Sequence, residues 1–158
     1  MSANIRQLLY NYAQILDELR KTDVIRSKNN PVGDYAEWLV AKTLDLTLCS
    51  KSTKGHDAYD VSYNYEIKAR RLTEDNSSRR LSAIRDLDKQ HFDYLVGVLF
   101  DHDFGVVQSA KIPWSVVKEY SSRNEHSNSA LFNLSDSIWN IPGVEDITLL
   151  IQETELSL

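Results

Sequence analysis

The sequence predicts an α/β protein, in which helices cover a mixed β-sheet. Residues 93–100, DYLVGVLF, form a continuous apolar run that is typical of a buried central strand. From residue 31 onward, the pattern predicts a helix, three strands, a second helix and then this strand. Because strands and helices alternate along the chain, we expect layers of helix packed on a sheet.

Two helices are predicted before the first strand. In residues 3–20, apolar side chains recur at three- and four-residue steps, from Ile5 to Leu19, which is the period of one helix face. A polar connector follows, and Pro31 suits the first turn of a second helix over about 31–45.

The rest of the chain predicts short elements. We expect strands near 46–49, 57–61 and 64–70, a polar turn at 73–80, a helix at about 81–90, and paired strands at 93–100 and 104–112. Further along we expect a helix from 113, a polar loop at 121–129, a short extended piece at 130–134, a capped turn around 139 and a closing helix from 144. Without repeats or a boundary, 1–158 is expected to be one domain, divided into an N-terminal helical extension (1–28), a core (31–112) and a C-terminal extension (113–158).

Composition narrows the class of protein. The chain has 158 residues, a formal net charge of -5 and a single cysteine. One thiol excludes an internal disulfide and leaves too few thiols for a structural zinc site. We find no apolar run of membrane-spanning length and no signal-peptide pattern at the N-terminus, so we expect a soluble, cytoplasmic protein with no membrane partner. The net negative charge argues against a protein that binds nucleic acid over its whole surface, but it permits a local basic groove.

Residues 55–71, GHDAYDVSYNYEIKARR, place several charges among strand-forming residues. Since alternate residues of a strand share a face, Glu66, Lys68 and Arg70 point one way, and Tyr65 and Ile67 point toward the core. Carboxylates fixed on a strand offer hard oxygen ligands for Mg²⁺, and Lys68 supplies the positive charge that a phosphodiester needs. The pattern therefore indicates hydrolysis of phosphodiesters, with an exposed Glu66–Lys68 pair as the alternative.

Glu37 is a second irregular position. It lies within an apolar stripe of the predicted helix 31–45, together with Gly33, Val40, Ala41 and Leu44. A buried carboxylate is costly unless it is paired or bound to a metal, so Glu37 needs a partner such as Lys68 or a metal ion. The alternative is a solvated helix residue.

These motifs resemble those of the PD-(D/E)XK nuclease superfamily. The similarity rests on Asp57 or Asp60, on EIK at 66–68, and on the helix GDYAEWLVAKTL with its internal glutamate, and it covers residues 31 to about 100. It implies the restriction-endonuclease-like core, αβββαβ. It also implies that Asp57, Glu66 and Glu37 ligate Mg²⁺, with Mn²⁺ as a substitute, and that Lys68 serves the attacking water. No proline precedes either aspartate, and the gap to Glu66 is shorter than in many members.

The parity of the hairpin decides between Asp57 and Asp60 as the first metal ligand. With an even connection such as Ser62 and Tyr63, Val61 pairs with Asn64, and Asp57 lies opposite Lys68 on the face of Glu66. With an odd connection, Asp60 pairs with Glu66 instead. Because two-residue hairpins are the commonest, we choose Asp57, with Asp60 as the alternative.

A basic segment follows the E-x-K triplet. Seven cations lie within 22 residues, and we expect some of them to contact phosphates beside the site. The expected contacts are Arg70, Arg71, Arg79, Arg80 and Arg85. A solvated charged face is the alternative interpretation.

The leading functional hypothesis is a Mg²⁺-dependent endonuclease acting on duplex or branched DNA, in restriction, repair or defence. One alternative is a module that binds DNA or a protein without cutting, and another is a subunit of a larger nuclease complex. RNA stays open as a substrate. Because one chain carries one predicted site, cutting both strands is simplest for a homodimer. The helix at 3–20 is expected either to form that contact or to pack on its own domain.

Overall fold

The apolar run at 93–100 forms the central strand of the protein. In the computed structural model, which describes residues 4–158, this strand is β5 (Tyr94–Phe100), and six of its seven residues are buried. It lies between β3 (Asn64–Arg71), to which it is parallel, and β6 (Val106–Pro113), to which it is antiparallel. The prediction of a mixed sheet with a buried central strand is confirmed.

The described residues form four α-helices and two sheets. The helices are α1 (Ile5–Lys21), α2 (Pro31–Leu44), α3 (Trp114–Tyr120) and α4 (Thr148–Leu156). The remaining strands are β1 (Thr47–Leu48), β2 (Ala58–Tyr59), β4 (Ile84–Arg85), β7 (Ser122–Asn124), β8 (Ser129–Leu131) and β9 (Glu145–Asp146). The large sheet has the order β1-β2-β3-β5-β6-β9, and the small sheet has the order β4-β8-β7. Within residues 4–158, no helix has both the length and the apolar character needed to cross a membrane.

Different elements pack on the two faces of the large sheet. On one face, Leu39 and Val40 of α2 and Ile151 of α4 pack against Ile67 and Val96. On the other face, the small sheet and α3 pack against alternate residues of β5 and β6, among them Leu95, Leu99 and Ile112. The protein therefore has three layers, and both faces of β5 are covered.

The predicted helix at 81–90 is wrong. Leu81, Ile84 and Leu87 are each buried, at a three-residue spacing that one face of a helix would also give. In the structure they lie on an irregular path, in which β4 pairs with β8 and a 3₁₀-helix occupies Leu87–Lys89. Asp86 and Gln90 have φ angles of 52° and 48°, which end any α-helix on both sides of that single turn. The connection from β3 to its parallel neighbour β5 therefore contains no α-helix.

Three further boundaries differ from the predictions. The closing helix begins at Thr148 and not at 144, because Glu145 and Asp146 form β9, which pairs with β6. The polar stretch 121–129 contains β7, which pairs with β8, where a loop was expected. The turn between β2 and β3 has four residues, because Tyr59 pairs with Asn64. The expected pairing of Val61 with Asn64 is therefore wrong, although the connection is even, as chosen.

Candidate functional site

Asp57 and Glu66 lie side by side at the start of the β2–β3 hairpin. Ala58 pairs with Tyr65, and Asp57, the residue before Ala58, alternates to the face of Glu66, so that both side chains line one cleft. The Asp57 backbone N–H donates to the Tyr65 carbonyl at 2.8 Å. Its carboxylate Oδ2 accepts from the Ile67 N–H at 2.7 Å, which extends the ladder beyond the two residues of β2. Asp57 was expected opposite Lys68, and the four-residue turn moves it two positions.

Asp60 has a different role, in the turn itself. Its Oδ1 accepts from the N–H groups of Ser62 and Tyr63, each at 2.8 Å, and its Oδ2 accepts from the Tyr65 hydroxyl at 2.9 Å. These hydrogen bonds lower the pKa of Asp60, those from Ser62 and Tyr63 most. The carboxylate is thus committed to closing the turn and does not face Glu66.

Lys68 forms an ion pair with Glu66 that is largely removed from water. Nζ of Lys68 lies 2.6 Å from Oε1 of Glu66, and the two side chains are 21% and 10% exposed. Burial lowers the pKa of Lys68, but the negative charges of Glu66, Asp57 and Glu37 outweigh it and leave the pKa raised. Lys68 is therefore held in its charged form, which suits it to offset negative charge and not to accept a proton.

The carboxyl groups of Asp57 and Glu66 lie in an environment that disfavours their charged forms. Burial raises the pKa of Glu66 to about 7, with Asp57 and Glu37 adding to the effect and Lys68 opposing it. Burial also raises the pKa of Asp57, with a further contribution from Glu37, against the opposing effects of Lys68, the Ile67 N–H and Lys51. A bound cation would relieve this crowding of negative charge.

Glu37 lies on α2 and is tied to two cations. Its Oε2 accepts from Nη2 of Arg26 at 3.0 Å and from Nζ of Lys51 at 2.9 Å. It does not pair with Lys68, although its charge acts on all three residues of the hairpin cluster. Among residues 4–158, no three His, Cys, Asp or Glu side chains are arranged to hold a metal ion together. The predicted set of Asp57, Glu66 and Glu37 is therefore not assembled as one ligand shell.

The cluster lies on the floor of a cleft of about 680 Å³. Loop 53–57 lines one side, and the connection between β3 and β5 lines the other. Gly55 has a φ angle of 93°, and a Cβ there would come within 2.4 Å of the Cβ of His91, so the two walls touch at this point. Besides Asp57, Glu66 and Lys68, the lining residues are Thr53, Lys54, Gly55, His56, Ala83, Arg85, Asp86, Lys89 and His91.

The predicted basic residues divide between this cleft and other places. Arg85 and Lys89 line the cleft. Arg70 donates to the Arg80 carbonyl, and Arg79 contacts Asp136. Arg80 is exposed, and its backbone forms a bridge with Asn133. Arg71 donates to the His102 carbonyl at 2.8 Å and stacks on Phe104, away from the carboxylate pair.

Three cations near the site were missed by sequence analysis: Arg26, Lys51 and Lys54. Lys54 follows a polar loop pattern, and its place beside the cleft depends on how that loop turns. Arg26 and Lys51 approach Glu37 from two separate loops. The contacts of Arg26 and Lys51 with Glu37 could not be predicted from the sequence, because these residues do not lie in one charged stretch.

The chain matches no protein-family model and no curated protein.

Asp34 anchors this cation network to the start of α2. Its buried carboxylate accepts from the N–H groups of Arg26 and Ser27, at 2.9 and 2.7 Å, and contacts Nζ of Lys51. Burial raises the pKa of Asp34, but these hydrogen bonds, that from Lys51 most, outweigh it and lower the pKa to about 2. The charged form is therefore favoured by folding.

We predict that Asp34→Asn destabilises the protein in a pH-dependent way. Because the folded pKa lies below the ordinary value of 3.8, the stabilisation is present above about pH 4 and is lost as pH falls toward 2. The variant should lose on the order of 2 kcal/mol of unfolding free energy at neutral pH. Urea unfolding between neutral pH and pH 3 measures the difference, which should shrink with acid. The exposed Asp75→Asn is the matched control, and a difference that is constant with pH would contradict this account.

Proposed function

We propose that this protein is a metal-dependent DNA endonuclease of the restriction-endonuclease-like kind. The observation that carries the proposal is the cluster of buried Glu66 with half-buried Asp57 and Lys68 on the floor of a cleft with cations at its rim. The order of α2, β1, β2 and β3, followed by the parallel strand β5, supports the finer assignment of the fold. The second helix of the αβββαβ core is replaced here by β4 and one 3₁₀ turn.

The donor set suits Mg²⁺, or Mn²⁺ in its place. Asp57 and Glu66 offer hard oxygen ligands on one face, and Mg²⁺ in proteins commonly binds one or two carboxylates and keeps several waters. Polarisation of the phosphate and activation of a water are the chemistry that Mg²⁺ supplies at such a site. In this proposal Asp57 and Glu66 hold the ion.

The neighbouring cations then act on the DNA backbone. Lys68, charged and fixed by Glu66, offsets the negative charge that grows on the phosphorus oxygens in the transition state. Lys54, Arg85 and Lys89 surround the floor and are placed to contact the flanking phosphates. Together they supply a local positive surface on an acidic protein.

A second candidate function is DNA binding without cleavage. The engagement of Glu37 by Arg26 and Lys51 favours it, because that carboxylate would have to leave two cations before it could ligate a metal ion. The endonuclease proposal needs only the carboxylates of Asp57 and Glu66 as metal ligands. If Glu37 were an obligatory third ligand, its present contacts would favour binding without cleavage. Purified protein incubated with plasmid, linear duplex and branched DNA, with Mg²⁺, Mn²⁺ or chelator, separates the two functions.

We predict that Lys68→Met abolishes cleavage and leaves most of the affinity for DNA. The substitution removes a charge that acts mainly on the transition state, so a fall of 10²-fold or more in rate is expected, on the order of 3 kcal/mol. Folding should survive, because Glu66 can take up a proton when its partner is lost. Lys42→Met, on the exposed side of α2, is the matched control. Cleavage at the wild-type rate by the Lys68 variant would rule out its catalytic role.

We predict that the two aspartates of the hairpin behave differently toward metal. Asp57→Asn should remove the rise in melting temperature that Mg²⁺ or Mn²⁺ gives the free protein, because it deletes one of two ligands. Asp60→Asn is the matched control, and it should lower the melting temperature through its turn while keeping the response to metal. The reverse pattern would make Asp60 the ligand, and an undiminished response in both variants would reject this metal site.

We predict that the cleft cations set the salt dependence of DNA binding. The double variant Arg85→Ala/Lys89→Ala should weaken binding and reduce the slope of log affinity against log salt by roughly 2, about one unit for each lost phosphate contact. Lys28→Ala/Lys42→Ala removes the same charge elsewhere and should leave the slope close to wild type. Equal slopes for the two double variants would instead indicate that Arg85 and Lys89 belong to a solvated charged face and do not contact phosphates.

A further inference from the structure

Helix α1 presents an apolar stripe that its own domain leaves uncovered. Across Ile5–Lys21 no side chain is buried. Ile5, Leu8, Leu9, Tyr12 and Ile15 of the stripe are each between 53% and 73% exposed. An isolated helix of this length is only marginally stable in water, so α1 gains stability by packing its apolar face on a partner. A contiguous apolar patch of this kind marks an interaction surface.

A cavity between α1 and the body of the domain adjoins this stripe. It measures about 730 Å³, and α1 contributes Tyr12, Ile15, Leu16 and Leu19 to its wall. The opposite wall is formed by the body of the domain, with Ile25, Tyr35 and Phe104 beside the charged residues Arg71, Asp103 and Glu155. The C-terminal half of α1 borders this mostly apolar space, and the N-terminal half carries its most exposed apolar side chains.

We propose that a second copy of this chain covers the stripe, with the two α1 helices antiparallel. The stripe positions 5, 8, 9, 12, 15, 16 and 19 are symmetric about residue 12. An antiparallel pair centred on Tyr12 therefore sets Ile5 against Leu19, Leu8 against Leu16 and Leu9 against Ile15. Every apolar position meets an apolar position, which is the self-complementarity that a two-fold interface requires.

The cavity beside α1 and the exposed area of its stripe both fit a second copy of this chain. In the antiparallel arrangement, Ile5 and Leu8 of each copy reach the apolar space beside Leu16 and Leu19 of the other copy. The five most exposed stripe residues present roughly 600 Å² of surface, so two copies can bury at most about twice that area, which equals the lower limit of specific interfaces, about 1,200 Å². A membrane surface fits less well, because α1 carries three cations against two acids and has no strongly basic face.

The test is the oligomeric state of the full chain in light scattering and sedimentation equilibrium. We expect wild type to form a dimer at micromolar concentration and Leu9→Glu to be a monomer. Gln14→Glu adds the same charge on the exposed polar side of α1 and should stay dimeric. Because Leu9 is 63% exposed, the variant should still unfold cooperatively, with a melting temperature that does not depend on protein concentration as that of the wild-type dimer does, which separates loss of the interface from unfolding.

Disulfide trapping tests the antiparallel direction. A mixture of Ile5→Cys and Leu19→Cys chains should cross-link between the two variants, and each variant alone should cross-link poorly, because paired cysteines need Cα atoms within about 7 Å. Wild type, with only the buried Cys49, is the control. A wild-type monomer at every concentration, a dimer that persists in Leu9→Glu, cross-linking of each variant with itself, or binding of monomers to anionic lipid vesicles in place of self-association would each overturn the proposal.

Discussion

The Asp60 carboxylate, which closes the four-residue turn between β2 and β3, is the constraint on which the candidate site depends. By accepting from Ser62, Tyr63 and the Tyr65 hydroxyl, it fixes Tyr59 opposite Asn64. Since side chains alternate along a strand, a turn of odd length would carry Asp57 to the other face of the hairpin. The even turn brings it to the face of Glu66. Asp60 therefore stabilises the arrangement of the site without belonging to it.

The register of the β2–β3 hairpin leaves the charged groups of Asp57, Glu66 and Lys68 in a partly buried environment, which disfavours their charged forms. Burial raises the pKa of both Asp57 and Glu66, and the Lys68 ammonium is retained because it balances them. A structural ion pair alone would need only one acid and one base, and a second carboxylate adds repulsion. The excess acid on a cleft floor is a reason to expect a cationic ligand there. It is also why the proposed chemistry centres on Asp57, Glu66 and Lys68, with Glu37 held apart by Arg26 and Lys51.

The periodicity of α1 predicted a helix, although none of its side chains is buried. Prediction from local pattern succeeded for α2, β5 and β6, where the pattern agrees with the tertiary packing because each element has one buried face or two. It failed at 81–90, where Leu81, Ile84 and Leu87 satisfy a helical spacing but are held by pairing with β8 and by left-handed residues. Alternation along β3 was enough to group Glu66 with Lys68. The contacts of Arg26 and Lys51 with Glu37 were not predictable, since they depend on the paths of two loops.

The proposed interface and the proposed site lie on opposite faces of the large sheet. The cavity beside α1 is lined by Tyr35 of α2 and Glu155 of α4, which cover the face of Ile67 and Val96. The cleft lies on the face of Glu66 and Lys68, beneath the connection from β3 to β5. The proposed association through α1 would therefore leave both clefts of a pair accessible. It follows that the proposed dimerisation and the proposed chemistry are separable: a monomeric Leu9→Glu chain would retain an intact cleft, and a change in the proposed cleavage of DNA would report how many clefts one substrate engages.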